Sequence, residues 1–181
     1  MSATRPMDLQ HVLLDEAAIK SRVRELGAEL TRDFAGQDVR FVTVLKGGLF
    51  FLADLCRAVD LPLTLDFLAV SPYTPGIGGA VQLTKDLSDD VAGASVILVE
   101  DVVDTGLTVN YVYQMLRARG ARQVEVCALL DKPARRIAAV PIAYRGFEMP
   151  DRFLVGYGLD LGGRYRNLRS IVALRDDMAM P

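Results

Sequence analysis

Ser95-Val96-Ile97-Leu98-Val99-Glu100-Asp101-Val102-Val103-Asp104-Thr105-Gly106-Leu107-Thr108 is the stretch that sets the architecture. Ser95 to Val99 is apolar and β-branched, which predicts a buried strand. Glu100 to Gly106 is polar and turn-like. Leu107 to Arg119 has helical character and stops at Gly120, a residue suited to the left-handed turn that closes helices. A buried strand that feeds a helix is half of a parallel-sheet repeat.

The same alternation extends outward in both directions. Upstream, Ile19, Val23, Leu26, Leu30 and Phe34 recur at helical spacing, which predicts an amphipathic helix over Asp15 to Phe34 with Asp15 as its cap. Val39 to Leu45 reads as a buried strand, Lys46-Gly47-Gly48 as a break, Leu49 to Val59 as a helix and Leu63 to Val70 as a strand. Ser71 to Gly79, with Pro72, Pro75, Gly76, Gly78 and Gly79, reads as a mobile loop, and Val81 to Thr84 as a short strand after it. Downstream, Val124 to Leu130 is a strand that Lys132-Pro133 ends. Phe153 to Val155 and Ser170 to Leu174 are expected strands. The order predicts an α/β domain, residues 1–181, with a mostly parallel central sheet flanked by helices.

Composition narrows the function classes. Among 181 residues, 21 Lys and Arg face 23 Asp and Glu, so the formal net charge of −2 does not suggest a polyanionic partner. No apolar run approaches the ~20 residues that span a bilayer, and Met1 to Gln10 lacks the apolar core of a secretory signal. Cys56 and Cys127 each lie in an apolar run, which reads as two buried thiols of a cytoplasmic protein. A single histidine, His11, and no C-x-x-C pair argue against zinc. Any metal should be a hard cation held by oxygen.

The quoted stretch also carries chemistry, because open α/β sheets bind ligands at the carboxyl ends of their strands. Glu100 and Asp101 follow a buried strand and can address sugar hydroxyls or a metal. Thr105-Gly106-Leu107-Thr108 opens a helix, whose first amides and dipole favour an anion. Acids on one rim and a phosphate nest on the other suit a ribose phosphate. The chain has no Gly-Lys dipeptide and no G-x-G-x-x-G, which excludes a Walker loop and the dinucleotide fingerprint.

Four stretches in order, Leu45 to Gly48, Glu100 to Thr108, Leu129 to Lys132 and Asp151 to Leu168, resemble the type I phosphoribosyltransferases, and more narrowly the hypoxanthine/guanine phosphoribosyltransferases. The resemblance implies their fold, with a small hood built from the chain ends. It also implies Mg2+-dependent transfer of phosphoribosyl from phosphoribosyl diphosphate to a 6-oxopurine base, and a homodimer or homotetramer.

Residue by residue, the resemblance implies that Lys46 and Gly47 receive pyrophosphate, after a peptide that is often cis in the family. Glu100 and Asp101 would hold the ribose hydroxyls. Asp104 would handle a proton of the purine imidazole, as the catalytic residue. Thr105, Gly106 and Thr108 would cradle the 5′-phosphate, with Leu107 standing where the family often has a basic residue. Lys132 would donate to the 6-oxo group; an ammonium has donors and no acceptor, so it favours an oxygen over the amino group of adenine. Phe153 would stack on the base and the Leu154 backbone would meet its exocyclic edge. Arg166 would neutralise pyrophosphate, and Glu100, Asp101 and Asp160 would serve the metal. Ser71 and Tyr73 lie on the lid, where Pro72 replaces a residue with a backbone N–H. Tyr157, between two glycines, reads as structural.

Two rivals stand beside this reading. One is a phosphoribosyltransferase for xanthine or pyrimidines. The other is a regulatory nucleic-acid-binding protein of the same fold, with Arg117, Arg119, Arg122, Arg135 and Arg136 as a basic patch. A solvated helix end and turn is the better account of those arginines, since arginines near a helix C-terminus suit its dipole.

Overall fold

The computed structural model describes residues 9–71 and 82–175. In chain order the elements are β1 (Leu9–Leu14), α1 (Glu16–Asp33), β2 (Val39–Leu45), α2 (Leu49–Ala58), β3 (Leu63–Val70), β4 (Leu83–Lys85), β5 (Ser95–Val103), α3 (Leu107–Ala118), β6 (Gln123–Asp131), a 3₁₀ turn (Pro133–Arg135), β7 (Ile142–Glu148), β8 (Leu154–Val155) and β9 (Ile171–Leu174). Six strands form the main sheet in the order β4-β3-β2-β5-β6-β7. The β3-β2, β2-β5, β5-β6 and β6-β7 pairs are parallel, and only β4 runs antiparallel to its neighbour. A second sheet, β1-β9-β8, is antiparallel and joins the first described strand to the last, which is the expected hood.

The parallel strands are apolar on both faces because both faces are covered. Ile97 and Val99 turn to the layer that α1 and α2 close with Ile19, Leu26, Leu30, Phe51 and Leu55. Val96 and Leu98 turn the other way, to Val109, Val112 and Leu116 of α3. Asp15 caps α1 as expected, its Oδ1 accepting from Ala18 N at 2.8 Å.

Three expectations are corrected. β5 does not end at Val99. Its ladder with β6 continues through Glu100↔Ala128, Val102↔Leu130 and Val103↔Asp131, so Glu100 and Asp101 are strand residues and not turn residues. β1 and β7 were not expected. β7 is an edge strand, with exposed Ala143 and Arg145 around buried Tyr144, so its apolar signal is thin. Phe153 lies outside β8 and is 37% exposed, so it is not strand core. Val81 and the loop residues 72–81, Tyr73 among them, lie outside the described residues.

One buried acid fastens the edge of the main sheet. Asp66 of β3 is 3% exposed and accepts from Phe67 N at 2.8 Å, Ser88 N at 2.8 Å and Asp89 N at 3.3 Å, with Lys85 Nζ at 3.8 Å. Burial acts to raise its pKa, but the backbone donors outweigh burial and hold the carboxyl below its ordinary value. A depressed folded pKa gives stability that is complete above the unfolded carboxyl pKa of about 4 and is lost as pH falls through the folded value. Asp66→Ala is expected to cost about 2–3 kcal/mol in urea unfolding at neutral pH, because it orphans buried N–H groups. The difference between variant and parent should narrow on acidification below about pH 4.

Candidate active site

The carboxyl ends of β2, β5 and β6 meet the hood around a cavity of about 400 Å³. Ten of the expected residues line it: Gly47, Glu100, Asp101, Asp104, Thr108, Lys132, Phe153, Leu154, Asp160 and Arg166. Lys46 is exposed at the start of the loop, directly after a cis Leu45–Lys46 peptide. Thr105 and Gly106, between the lining residues Asp104 and Thr108 in sequence, do not line it. Ser71 donates its N–H to Gln82 O at 2.9 Å and does not line the cavity.

The anion end is built from backbone. The N-cap of α3 is Gly106, with φ of 81° and no side-chain cap. A β-carbon there would also press on the Ala138 carbonyl. Neither Asp104 nor Thr105 caps the helix in the ordinary way; Thr105 Oγ1 accepts only a long bond, 3.5 Å, from Leu107 N. The first-turn amides of α3 therefore keep their capacity for a ligand anion.

The acid end is dry. Glu100 is 5% exposed, and its buried Oε1 has no hydrogen-bond partner. Burial, then the neighbouring Asp101, pushes its carboxyl well up. Burial lifts Asp101 to about 6, against the Val102 N–H at 2.9 Å and the charge of Arg166. A β-carbon on Gly47 would fall on the Asp101 carboxylate and force it to move.

The far rim carries the opposite charge. Lys132 is 5% exposed and its Nζ donates to Arg152 O at 2.6 Å. Burial pulls its pKa down, while Asp104 and Asp151 act against that. Asp104 pairs through Oδ2 with Arg135 Nη1 at 3.2 Å, while its buried Oδ1 has no partner. Arg166 is fixed by two contacts, Nη1 to Gly158 O at 2.5 Å and Nη2 to Asp160 Oδ1 at 2.5 Å.

Two further results alter the expected picture. First, the three acids assigned to the metal all line the cavity but do not form a ready-made cluster. Among the described residues no group of three or more His, Cys, Asp or Glu is placed to hold an ion. Asp160 is taken up by Arg166 and by Gly163 N at 2.6 Å. Second, Arg135 lines the cavity and pairs with both Asp104 and Asp151, a role the sequence reading missed. Its only signal there was its place among the arginines of the candidate basic patch. Those arginines are engaged within the chain. Arg119 pairs with Asp86, Arg122 with Gln37 and Ser95, Arg136 with Asp131 and the carbonyls of Val103 and Asp104, and Arg117 lies 5.8 Å from the Tyr113 ring centre.

A helix start with uncapped amides, the adjacent acids Glu100 and Asp101, and an arginine held by Asp160 share this one cleft. The family model described as a phosphoribosyl transferase domain matches residues 10–161. The chain belongs to the phosphoribosyl transferase family. It is 46% identical to the hypoxanthine-guanine phosphoribosyltransferase of Mycobacterium avium, over 93% of this chain and 87% of that one. It is 42% identical to that of Bacillus subtilis, over 93% and 94% of the two chains. Among solved structures, a hypoxanthine phosphoribosyltransferase from Staphylococcus aureus superposes with a TM-score of 0.93 at 39% identity, covering 100% of both chains. In this phosphoribosyl transferase the hood contributes to the cavity wall through Leu154, with Phe153 beside it. No helix among the described residues is long and apolar enough to cross a membrane.

Proposed function

We propose that this chain works in purine salvage. It would transfer 5-phosphoribosyl from phosphoribosyl diphosphate to hypoxanthine, and to guanine, releasing IMP or GMP and pyrophosphate. The observation that carries the choice of base is Lys132. It is a buried ammonium on the cavity wall, beside an aspartate with an unsatisfied oxygen and an exposed phenylalanine face. A 6-oxopurine offers an acceptor to the lysine and a ring nitrogen to Asp104. Adenine would set its amino donors against the ammonium.

The roles divide along the cleft. The α3 amides with Thr105 and Thr108 bind the 5′-phosphate. Glu100 and Asp101 orient the ribose hydroxyls, which holds C1 in line with the incoming ring nitrogen. Asp104 accepts the purine proton as the new bond forms. Lys46 and Arg166 balance the charge that grows on departing pyrophosphate, where the sugar has oxocarbenium character. Phe153 and Leu154 seat the base.

The donor set fits magnesium. It is acidic, all oxygen, and holds a buried carboxylate oxygen without a partner. Glu100 and Asp101 would hold the ion, sharing it with phosphate oxygens of the substrate, as magnesium prefers. When bound, it would neutralise negative charge on the diphosphate. The free thiols of Cys56 and Cys127 support a reducing cytoplasmic setting.

The deciding experiment mixes purified protein, phosphoribosyl diphosphate and magnesium with hypoxanthine, guanine, xanthine, adenine or uracil and follows nucleotide formation. Product with hypoxanthine and guanine, abolished by chelation with EDTA and restored by added magnesium, is the expected result. A preference for adenine or uracil, or full activity after chelation, would overturn the reading.

A further inference from the structure

Tyr157 is a side chain where the backbone favours none. Its φ is 48°, between Gly156 at 99° and Gly158 at 104°. A non-glycine residue in that region is uncommon. The ring is buried, leans on Phe50 with centroids 6.5 Å apart, and donates its hydroxyl to Asp54 Oδ2 at 2.6 Å. Burial, and then the Asp54 contact, keeps the phenol above its ordinary pKa, so it remains a donor at physiological pH.

The two ends of that bond belong to the two sides of the diphosphate region. Asp54 lies on α2, the helix that the Lys46-Gly47-Gly48 loop begins. Tyr157 starts the loop that carries Asp160 and Arg166. Its own N–H donates to Leu168 O at 2.8 Å, and the N–H of Gly158 donates to Arg166 O at 3.0 Å. Gly158 accepts from the Arg166 guanidinium and lies so close to Gly47 that a β-carbon would fall on the Gly47 carbonyl. Neither Tyr157 nor Asp54 lines the cavity.

We propose that the Tyr157–Asp54 hydrogen bond is a brace. It fixes the spacing between the Lys46-Gly47 loop and the Asp160–Arg166 loop, which makes Tyr157 and Asp54 positioning residues for the sugar diphosphate. The proposal rests on the reading that this end of the cleft takes the diphosphate. A brace outside the cavity acts on one substrate only. The base end, at Lys132 and Phe153, belongs to other segments.

Tyr157→Phe removes the donor and keeps the ring, and Asp54→Leu removes the acceptor oxygens and keeps about the same size. Calorimetric titration with phosphoribosyl diphosphate and magnesium should show Kd raised about five- to tenfold in each variant. The KM for the diphosphate should rise in step, while the KM for hypoxanthine stays within about twofold. The double variant should bind no more weakly than the weaker single one, since both remove the same bond. A lowered melting temperature with unchanged Kd would make the pair merely structural and overturn the brace. Losses that multiply in the double variant would overturn it too. A parent protein that binds the diphosphate but makes no nucleotide would refute the proposed function, and the Kd comparison would still decide the brace. A parent that does neither would overturn both.

Discussion

Asp104→Asn is expected to lower turnover by about 10²–10³-fold while leaving the melting temperature and the affinity for phosphoribosyl diphosphate nearly unchanged. The size follows from the usual contribution of a positioned general base. Asparagine fills the same space and offers an oxygen, but it cannot take a proton from the purine. The geometry favours a chemical role over a structural one. Asp104 does not cap α3, because Gly106 does. Its one side-chain partner among the described residues, Arg135 at 3.2 Å, is itself half-exposed, so that pair adds little to stability. The buried Oδ1 is left without a partner. Stopped assays with hypoxanthine, beside thermal unfolding of the same preparations, check both parts. Unchanged turnover would remove Asp104 from the chemistry. Loss of activity that tracks loss of folded protein would make it structural.

Lys132→Ala is expected to cost about 10²-fold in kcat/KM for hypoxanthine, with the Kd for phosphoribosyl diphosphate within about twofold of the parent. Replacing a charged donor by nothing forfeits roughly 2–3 kcal/mol when the partner oxygen is left unpaired in a dry site. Here the lysine is desolvated, held by Arg152 O at 2.6 Å and fixed in place by its own N–H to Val103 O at 3.0 Å. A free, hydrated lysine could swing away; this one is aimed. The same variant should lose its preference for hypoxanthine over adenine, because the ammonium that repels an amino group is gone. Equal losses for base and sugar diphosphate would show that Lys132 supports the cleft generally and does not read the base.

Local chemistry is what the sequence made legible. The apolar spacing of Ile19, Val23, Leu26, Leu30 and Phe34 led to a helix in which the first four are buried, with Phe34 buried at its C-cap. The run Ser95 to Thr108 led to a strand, a turn and a helix, because each step has its own periodicity. What stayed hidden depends on pairing between distant segments. The end of β5 is set by its ladder with β6 and not by its own polarity, which is why Glu100 and Asp101 read as turn residues. β1 earns its place only by pairing with β9, some 160 residues away in sequence as its Leu9↔Leu174 register shows. β7 is an edge strand whose buried face is little more than Tyr144. The site shows the same division. Residues inside one motif were legible singly, whereas the Asp104–Arg135 pair and the Tyr157–Asp54 bond join segments that no spacing rule connects. The acids expected at the metal likewise come to one cavity from separate segments. Three acids were assigned separately, and the fold delivers one of them, Asp160, to Arg166.

The cleft draws its two ends from different lengths of chain. In the proposed reading the sugar-phosphate end comes from the loops after β2 and β5 together with the Asp160–Arg166 loop, and the base end chiefly from the end of β6 and the segment through Phe153 and Leu154. Inheritance can act on these two lengths separately. Changes confined to residues 132–155 could redirect the choice of nucleobase without disturbing the strand that orients the ribose. A duplicated copy of this gene would therefore have a short path to a new base and a long one to a new sugar.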